Sequence, residues 1–195
     1  MNIQHPDARP PELWIVRHGE TAWSRSGQHT GRTDVPLTPA GEEQAAALRE
    51  RLAAHPFALV LSSPLRRAWD TCRLAGLGGA ARATDDLLEW DYGAYEGRTR
   101  ADIQREVPGW NLWTHGVPGG ETVEAVGARA CRLIEIALAA PGDVALFGHG
   151  HVLRVLAACW LQLSPRQGRL FALDTASLGV LGHENASRVI RRWNL

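Results

Sequence analysis

The chain has 195 residues, of which 45% are hydrophobic, a size that suits one domain with one buried core and is too short for two ordinary domains. Lysine plus arginine and aspartate plus glutamate each number 21, so no net positive charge attracts nucleic acid or an anionic membrane surface over a distance. We therefore predict a single domain over residues 1–195 that has no nucleic-acid and no membrane partner.

We expect no targeting signal at the N-terminus. Residues 1–11 are polar and proline-rich, which predicts a loose tail instead of a signal peptide. No later apolar run reaches the length of a membrane span, so we expect a cytoplasmic protein. The cysteines at positions 72, 131 and 159 stand far apart in helix-like segments, which predicts buried free thiols.

Three short runs have the character of buried strands, because they are apolar throughout instead of alternating. They lie at residues 13–16, 58–61 and 144–147. Apolar residues at three- and four-residue steps predict helices between and after them, at residues 39–54, 121–140 and 151–163. Strands that alternate with helices predict an α/β fold, a three-layer α/β/α sandwich around a mixed, mainly parallel sheet.

Two further segments stand out. Residues 90–120 are rich in glycine, proline and tryptophan and are long for a connector, which is typical of a functional segment. Residues 176–193 resemble two strands joined near residues 183–187, and we predict an edge hairpin there.

Unusual polar residues follow each of the three apolar runs directly. These clusters are Arg17-His18-Gly19-Glu20, the sequence SSPLRRA at residues 62–68, and Gly148-His149-Gly150-His151. The ligand crevice of an open α/β sheet lies beyond the carboxyl ends of its strands, so all three clusters are expected to meet there. Guanidinium groups, imidazoles and a helix N-terminus around one point suit a multiply charged oxyanion, and a phosphoryl group fits best.

This set of residues predicts covalent catalysis. A neutral imidazole attacks phosphorus, and the arginines and the second histidine neutralise the phosphoryl oxygens. Adjacent positive charge is expected to keep the nucleophile's pKa low. A carboxyl group must protonate the leaving alkoxide and then deprotonate the attacking water. Glu89 is the leading candidate because the apolar pair Leu87-Leu88 and Trp90 flank it, whereas Asp91 and Glu20 are weaker ones.

Six ordered motifs over nearly the whole chain resemble the histidine phosphatase superfamily, in the branch that contains cofactor-dependent phosphoglycerate mutases and their phosphatase relatives. The motifs read RHGETAWS, GQHTGRTDVPLTPAGEEQA, SSPLRRAWDT, LLEWDYGAYEG, GGET and FGHGHVLRVL. Together they are most similar to broad acid phosphatases and sugar-bisphosphatases, including the sedoheptulose-bisphosphatase type. The resemblance implies a phosphoglycerate mutase-like fold and a phosphatase that acts without a metal or another cofactor.

The resemblance also implies roles for individual residues. His18 corresponds to the phosphorylated nucleophile, Arg17 and Arg67 to phosphate-binding arginines, Glu89 to the proton donor and His149 to the second histidine of the phosphate pocket. Arg66, the other arginine of its pair, is expected to be a solvated residue at a helix start. Six more residues are candidates for substrate binding: Ser24, which replaces the family's usual Asn, and Thr30, Gly31, Tyr92, Arg100 and Gly150.

Several alternatives stay open at this point. A phosphoglycerate mutase holds a second anion with adjacent arginines after the general acid; here Arg98 and Arg100 are available, but Trp110, Trp113 and Pro118 make that region more apolar. A dead site could bind phosphorylated ligands without turnover. The HGH sequence also permits a metal site made of His18, His149 and His151. We predict a phosphatase that acts on phosphorylated small molecules; a homodimer is possible, but periodicity locates no interface.

The remaining histidines and tryptophans have ordinary structural explanations. His5, His55 and His183 are expected to be surface or satisfied core residues. For three further histidines the sequence leaves both a structural and a functional role open: His29, His115 and His151. Most of the tryptophans are expected in the core, but three of them border catalytic motifs and are also candidates for lining the pocket. These three are Trp23, Trp90 and Trp113.

Overall fold

The computed structural model describes residues 9–195. Its strands form one six-stranded sheet with the order β3-β2-β4-β1-β5-β6. The strands are β1 Leu13–Arg17, β2 Leu59–Ser62, β3 Ala81–Ala83, β4 Val144–Gly148, β5 Leu178–Glu184 and β6 Ser187–Arg192. The first four in spatial order are parallel to one another, and β5 and β6 are antiparallel to their neighbours. The predicted mixed, mainly parallel sheet is confirmed.

Seven α-helices and three short 3₁₀ helices surround this sheet in the described part of the chain. The α-helices are α1 Ala22–Ser26, α2 Pro39–Leu52, α3 Arg66–Leu74, α4 Arg100–Glu106, α5 Leu112–His115, α6 Val123–Leu138 and α7 Gly150–Trp160. The 3₁₀ helices are Asp85–Leu87, Gly93–Tyr95 and Pro165–Leu170. Helix α2 begins as predicted, because the Thr38 hydroxyl caps the Gly41 N–H and Pro39 occupies the first turn.

Alternate residues of β1 divide the core into two halves. Leu13 and Ile15 pack with α6 and α7 on one face of the sheet, whereas Val16 packs with α2 and α3 on the other face. Both halves are apolar because the central strands are covered on both sides. The result is the predicted three-layer sandwich. The carboxyl ends of its parallel strands lie at one edge of the sheet.

The structure corrects the expectation of three buried thiols. Cys72 is buried, but Cys131 is exposed and Cys159 is half-buried, because helix α6 places position 131 on its solvent side. Of the predicted loose tail, residues 1–8 lie outside the described residues, and Arg9 packs against the domain. The sequence does not predict strand β3, because its three residues include an arginine and form no apolar run. No helix within residues 9–195 is long and apolar enough to cross a membrane.

A buried carboxylate holds the segment before β1 to the opposite end of the sheet from the polar clusters. Asp143 accepts hydrogen bonds from the Arg9 guanidinium at 2.6 Å, from the Glu12 backbone N–H at 2.9 Å and from His55 at 2.7 Å. Burial alone would raise the pKa of this carboxyl group, but the hydrogen bonds lower it below its ordinary value. The charged form of Asp143 is therefore favoured in the folded state.

We expect Asp143→Asn to lower the free energy of unfolding at pH 7 by roughly 1.5–3 kcal/mol, the range for hydrogen bonds to a charged group. Since the folded-state pKa lies below the unfolded-state value, this stabilisation is complete above about pH 4 and is lost as the pH falls through the folded-state value. Urea unfolding at pH 7 and at pH 3 measures both effects. Asp70→Asn, in an exposed pair with Arg73, is the matched control. A deficit that persists unchanged in acid contradicts the prediction.

Candidate active site

The three polar clusters meet at the carboxyl ends of the central strands, as the sequence predicted. The β1 residue Arg17 pairs with Gly148 of β4, and the next backbone N–H, that of His18, donates to the Gly148 carbonyl at 3.0 Å. The Ser63 N–H, just beyond β2, donates to the Phe147 carbonyl at 2.9 Å. Because the parallel strands are in register, the residues that directly follow them lie close together at this edge of the sheet.

His18 is held in one tautomer. Its Nδ1 lies 2.7 Å from the Gly19 carbonyl oxygen, which can only accept, so Nδ1 carries the proton and Nε2 keeps its lone pair. The Gly19 N–H in turn donates to the Thr71 hydroxyl at 3.0 Å. A Cβ at position 19 would lie 2.3 Å from the Gly41 carbonyl oxygen, so only glycine permits this approach. The backbone after β1 is thus fixed tightly enough to aim the His18 ring.

Arg67 and His149 lie against His18 but are completely buried. The ring centroids of His18 and His149 are 5.2 Å apart. The Arg67 Nε donates to His149 Nδ1 at 3.0 Å, so the proton of the neutral His149 ring is on Nε2, which donates to the Ser63 hydroxyl at 2.8 Å. Both ring nitrogens of His149 are therefore bonded within the protein.

The other N–H groups of Arg67 hold a loop. Its Nη1 donates to the Thr33 carbonyl at 2.9 Å, and its Nη2 donates to the carbonyls of Thr30 at 3.1 Å and Gly31 at 2.9 Å. Four of the five guanidinium N–H groups are thus bonded to protein groups. Arg67 contributes a buried positive charge beside His18 and simultaneously positions residues 30–33.

Arg17 differs from Arg67, because most of its donors are free. Its Nη1 donates to the Leu173 carbonyl at 2.5 Å, whereas its buried Nε has no hydrogen-bond partner among the described residues. The Arg17 guanidinium lies beside Gly150, where a Cβ would be 3.4 Å from the guanidinium carbon. A buried donor without a partner is costly, and Arg17 is therefore prepared to bind an anion.

Glu89 lies at the N-terminus of helix α7. Its carboxylate accepts three backbone hydrogen bonds, each 2.9 Å long, from the N–H groups of Trp90, His151 and Val152. Two of these N–H groups belong to the first turn of α7, where free donors and the helix dipole favour negative charge. The helix thus fixes a nearly buried carboxylate at the edge of the site.

A cavity of about 190 Å³ opens between these groups. Three of the five predicted catalytic residues line it: Arg17, His18 and Glu89. Arg67 and His149 belong instead to the layer behind His18, as their burial shows. The charged groups of the cavity wall are therefore two arginines, Arg17 and Arg154, and one carboxylate.

The predicted substrate-binding residues separate into two groups. Four of them line the cavity: Ser24, Thr30, Tyr92 and Gly150. The Ser24 hydroxyl is committed to the cap of α1, since it accepts from the Thr21 N–H and donates to the Thr21 carbonyl. Gly31 lies behind the cavity wall, where its N–H donates to Glu96 at 2.8 Å. Arg100 lines a neighbouring cavity.

The sequence singled out neither Gln28 nor Arg154 nor Leu173, which also line the cavity. Two histidines for which the sequence allows either a structural or a functional role also line the cavity, namely His29 and His151. The HGHVLR motif contains Arg154 and was the available signal for it. Leu173 gave no signal, because it reaches the site through an irregular segment before β5.

Burial and the surrounding arginines keep the site's imidazoles neutral. The pKa of His18 lies well below its ordinary value, first because the ring is buried and then because Arg17 and Arg67 are close. The pKa of His149 is also well below its ordinary value, mainly because the ring is buried and secondly because Arg67 is close. A neutral His18 with an unprotonated Nε2 is the form that can act as a nucleophile.

The residues of the HGH sequence do not form a metal cluster. No group of three or more His, Cys, Asp or Glu side chains with suitable geometry occurs within residues 9–195. His149 accepts a hydrogen bond from Arg67, whose charge would repel a cation at that nitrogen. The donor set therefore suits an anion better than a metal ion.

The chain is similar over most of its length to two phosphatases. It is 43% identical to the acid phosphatase of Mycobacterium tuberculosis, over 92% of this chain and 90% of that protein. It is 37% identical to the sedoheptulose 1,7-bisphosphatase of Saccharomyces cerevisiae, over 78% of this chain and 68% of that protein. The structural similarity extends to the whole fold, as the solved structure of a Mycobacterium tuberculosis protein shows.

That structure superposes with a TM-score of 0.90 and 41% identity, and the match covers 96% of this chain and 98% of the other. The family model for the histidine phosphatase superfamily (branch 1) matches residues 13–195, from the first residue of β1 to the C-terminus. The match includes the strand-end clusters and the hairpin. The resemblance noted from the motifs is confirmed, and this chain belongs to the histidine phosphatase superfamily.

Proposed function

We propose that this protein is a metal-independent phosphatase that hydrolyses phosphate monoesters of small metabolites through a phosphohistidine on Nε2 of His18. One observation carries the proposal: Nδ1 of His18 is bonded to the Gly19 carbonyl, which leaves Nε2 unprotonated on a cavity that Arg17 and Glu89 also line. A nucleophile, an anion-binding cation and a proton-transferring group are the minimum set for this reaction.

The first step transfers the phosphoryl group to the enzyme. Nε2 of His18 forms a bond to phosphorus in line with the ester oxygen, and the bond between phosphorus and that oxygen breaks. The free donors of Arg17 bind the phosphoryl oxygens, and the charge of Arg67 beside His18 adds to their stabilisation, with His149 holding Arg67 in place. Glu89 gives its proton to the departing alkoxide, so the product leaves as an alcohol.

The second step returns the enzyme to its starting state. A water molecule attacks phosphorus, Glu89 accepts a proton from it, and the bond between phosphorus and Nε2 breaks to release inorganic phosphate. Glu89 must therefore be protonated when the substrate binds.

A mutase fits these contacts less well. Arg98 is committed to Glu106 by a bond of 2.6 Å and lines neither cavity, so it does not form a paired clamp with Arg100. A dead site fits less well too, since nucleophile, cation and carboxylate are all in place. The balanced charge supports action on small molecules instead of nucleic acid or an anionic membrane surface, and we place this action in the cytoplasm as part of the proposal. The homodimer stays a prediction.

We expect His18→Ala to lower kcat at least about a thousandfold, because no other group in the cavity replaces the nucleophile. Release of inorganic phosphate from p-nitrophenyl phosphate, with a chelator present, measures the loss. His115→Ala removes an exposed histidine outside the site and serves as the control. Full activity in His18→Ala, or activity of the wild type that disappears with the chelator, contradicts the proposal.

Glu89→Gln is expected to slow the hydrolysis of an alkyl phosphate roughly 10²–10⁴-fold, the usual contribution of a general acid or base. The single-turnover release of p-nitrophenolate is expected to fall much less, since this leaving group needs no proton. An acid-labile phosphoenzyme then accumulates in the variant, because water attack lacks its base. Glu20→Gln, the substitution of a weaker candidate, is the control. Equal losses with both substrates would contradict the role of Glu89.

The low pKa of His18 has its own consequence for pH dependence. Protonation of Nε2 removes the nucleophile, so the buried ring keeps the free enzyme competent at pH values well below the ordinary histidine pKa of about 6.5. We expect the His18 ring to remain neutral through this range in ring-nitrogen NMR spectra, with His18→Gln used to assign the signal. A titration of His18 near pH 6.5 would contradict the prediction.

A further inference from the structure

The backbone that carries Glu89 is irregular. Residues 88–92 form neither a helix nor a strand, so regular secondary structure does not fix the position of this carboxylate. A proton donor must nevertheless lie within hydrogen-bond reach of the leaving oxygen. Other contacts must therefore fix this segment, and they come from Glu121, the glutamate of the GGET motif, and from helix α6.

Glu121 is bonded to the chain directly after Glu89. Its Oε2 accepts from the Asp91 N–H at 2.9 Å, and its backbone carbonyl accepts from the Trp90 indole N–H at 2.9 Å. The Glu121 backbone N–H donates to the Asp91 carbonyl at 3.0 Å. A Cβ at position 120 would lie 2.2 Å from that carbonyl oxygen, so the Gly120 of the motif permits this close approach.

Arg129, in the second turn of α6, is bonded to the chain directly before Glu89. Its Nη1 donates to the Asp86 carbonyl at 2.7 Å and to the Leu88 carbonyl at 2.9 Å. The same guanidinium forms a bidentate pair with Glu121, from Nε to Oε1 and from Nη2 to Oε2, each bond 2.9 Å long. One ion pair thus connects both sides of the segment that carries the proposed proton donor.

This ion pair is largely shielded from water. Only 11% of the Arg129 side chain and 19% of the Glu121 side chain are exposed, so salt and solvent screen the pair weakly. Burial alone would raise the pKa of Glu121, but hydrogen bonds from Arg129 and from the Asp91 N–H lower it. A lysine at position 129 would offer its three donors from a single atom and could not replace the planar, bidentate contact.

Glu89 is therefore attached to two helices in different ways. Helix α7 binds the carboxylate through the N–H groups of His151 and Val152, whereas α6 fixes the backbone on either side through Arg129. Both attachments act on the distance between the carboxyl group and an oxygen of the bound phosphate ester. A displacement of about 1 Å at this distance is enough to slow proton transfer strongly.

We propose that Arg129 and Glu121 are positioning residues for the proton transfers of Glu89. Neither side chain lines the cavity that contains His18, so neither touches the substrate. Their effect is confined to the group that they position, and the nucleophile and the phosphate-binding Arg17 are independent of them. This inference rests on the proposed phosphatase function and deepens it.

The test is Arg129→Lys, which keeps the charge but loses the bidentate geometry. We expect kcat for an alkyl phosphate to fall roughly tenfold to a hundredfold, since its leaving group needs the proton. The single-turnover release of p-nitrophenolate is expected to fall much less, and the inhibition constant of inorganic phosphate is expected to stay unchanged. A general loss of structure would move all three quantities. Urea unfolding shows that the variant is folded.

Arg132→Lys is the matched control, because Arg132 lies on the same helix and contacts the same residue, Asp86. That contact involves the side chain of Asp86 and not the carbonyls before Glu89, and Arg132 is exposed. We expect this variant to retain the wild-type rates with both substrates. Glu121→Gln keeps the shape of Glu121 but removes its charge, and it provides a second variant with the same selective loss.

A double variant tests whether the effect passes through Glu89. If Arg129 acts only by positioning this carboxyl group, Arg129→Lys causes no further loss with the alkyl phosphate in the Glu89→Gln background. A full additional loss in that background would overturn the proposal. So would equal losses with both substrates, or no loss, in folded Arg129→Lys and Glu121→Gln.

The same measurements separate this inference from the proposed function. If Glu89→Gln slows both substrates equally, the proton-donor role of Glu89 is wrong, and the positioning role is wrong with it. If Glu89→Gln shows the selective loss but the Arg129 and Glu121 variants do not, only the positioning role is wrong.

Discussion

The guanidinium of Arg67 joins three separate parts of the chain behind His18. From helix α3 it donates to His149 at the end of β4 and to the carbonyls of residues 30–33. A buried arginine is stable only when its donors are satisfied, so these contacts depend on one another. Its position explains why α3 begins directly after β2: the short connection brings Arg67 under the strand ends.

Burial and charge act on His18 in the same direction. Removing the ring from water disfavours its protonated form, and Arg17 and Arg67 disfavour it further. In the proposed mechanism the same two cations attract the phosphate, so the features proposed to bind the substrate also keep His18 unprotonated. The Gly19 carbonyl completes the arrangement by fixing which nitrogen is free. Binding and reactivity therefore share one electrostatic origin.

The main layers of the fold and the inner part of the site could be predicted from the sequence. Apolar runs that end in polar residues located His18 and His149, because parallel strands bring their carboxyl ends to one edge. Arg154 and His29 could not be placed, since their position depends on how the 3₁₀ helix Pro165–Leu170 and residues 28–33 pack. Gly31 is a substrate-binding candidate from the sequence, but it lies behind the cavity wall, where a Cβ would be 2.6 Å from the Trp90 carbonyl oxygen.

Strand β1, which ends at Arg17, lies inside the sheet and is hydrogen-bonded to β4 on one side and β5 on the other. The neighbouring cavity that Arg100 lines is built from much shorter elements, including the four-residue helix α5 and the 3₁₀ helix Pro165–Leu170. Interior strands open last in native proteins, whereas short helices open at low free energy. Substitutions in those short helices can therefore reshape this cavity without loosening His18, so one scaffold can accommodate different ligands.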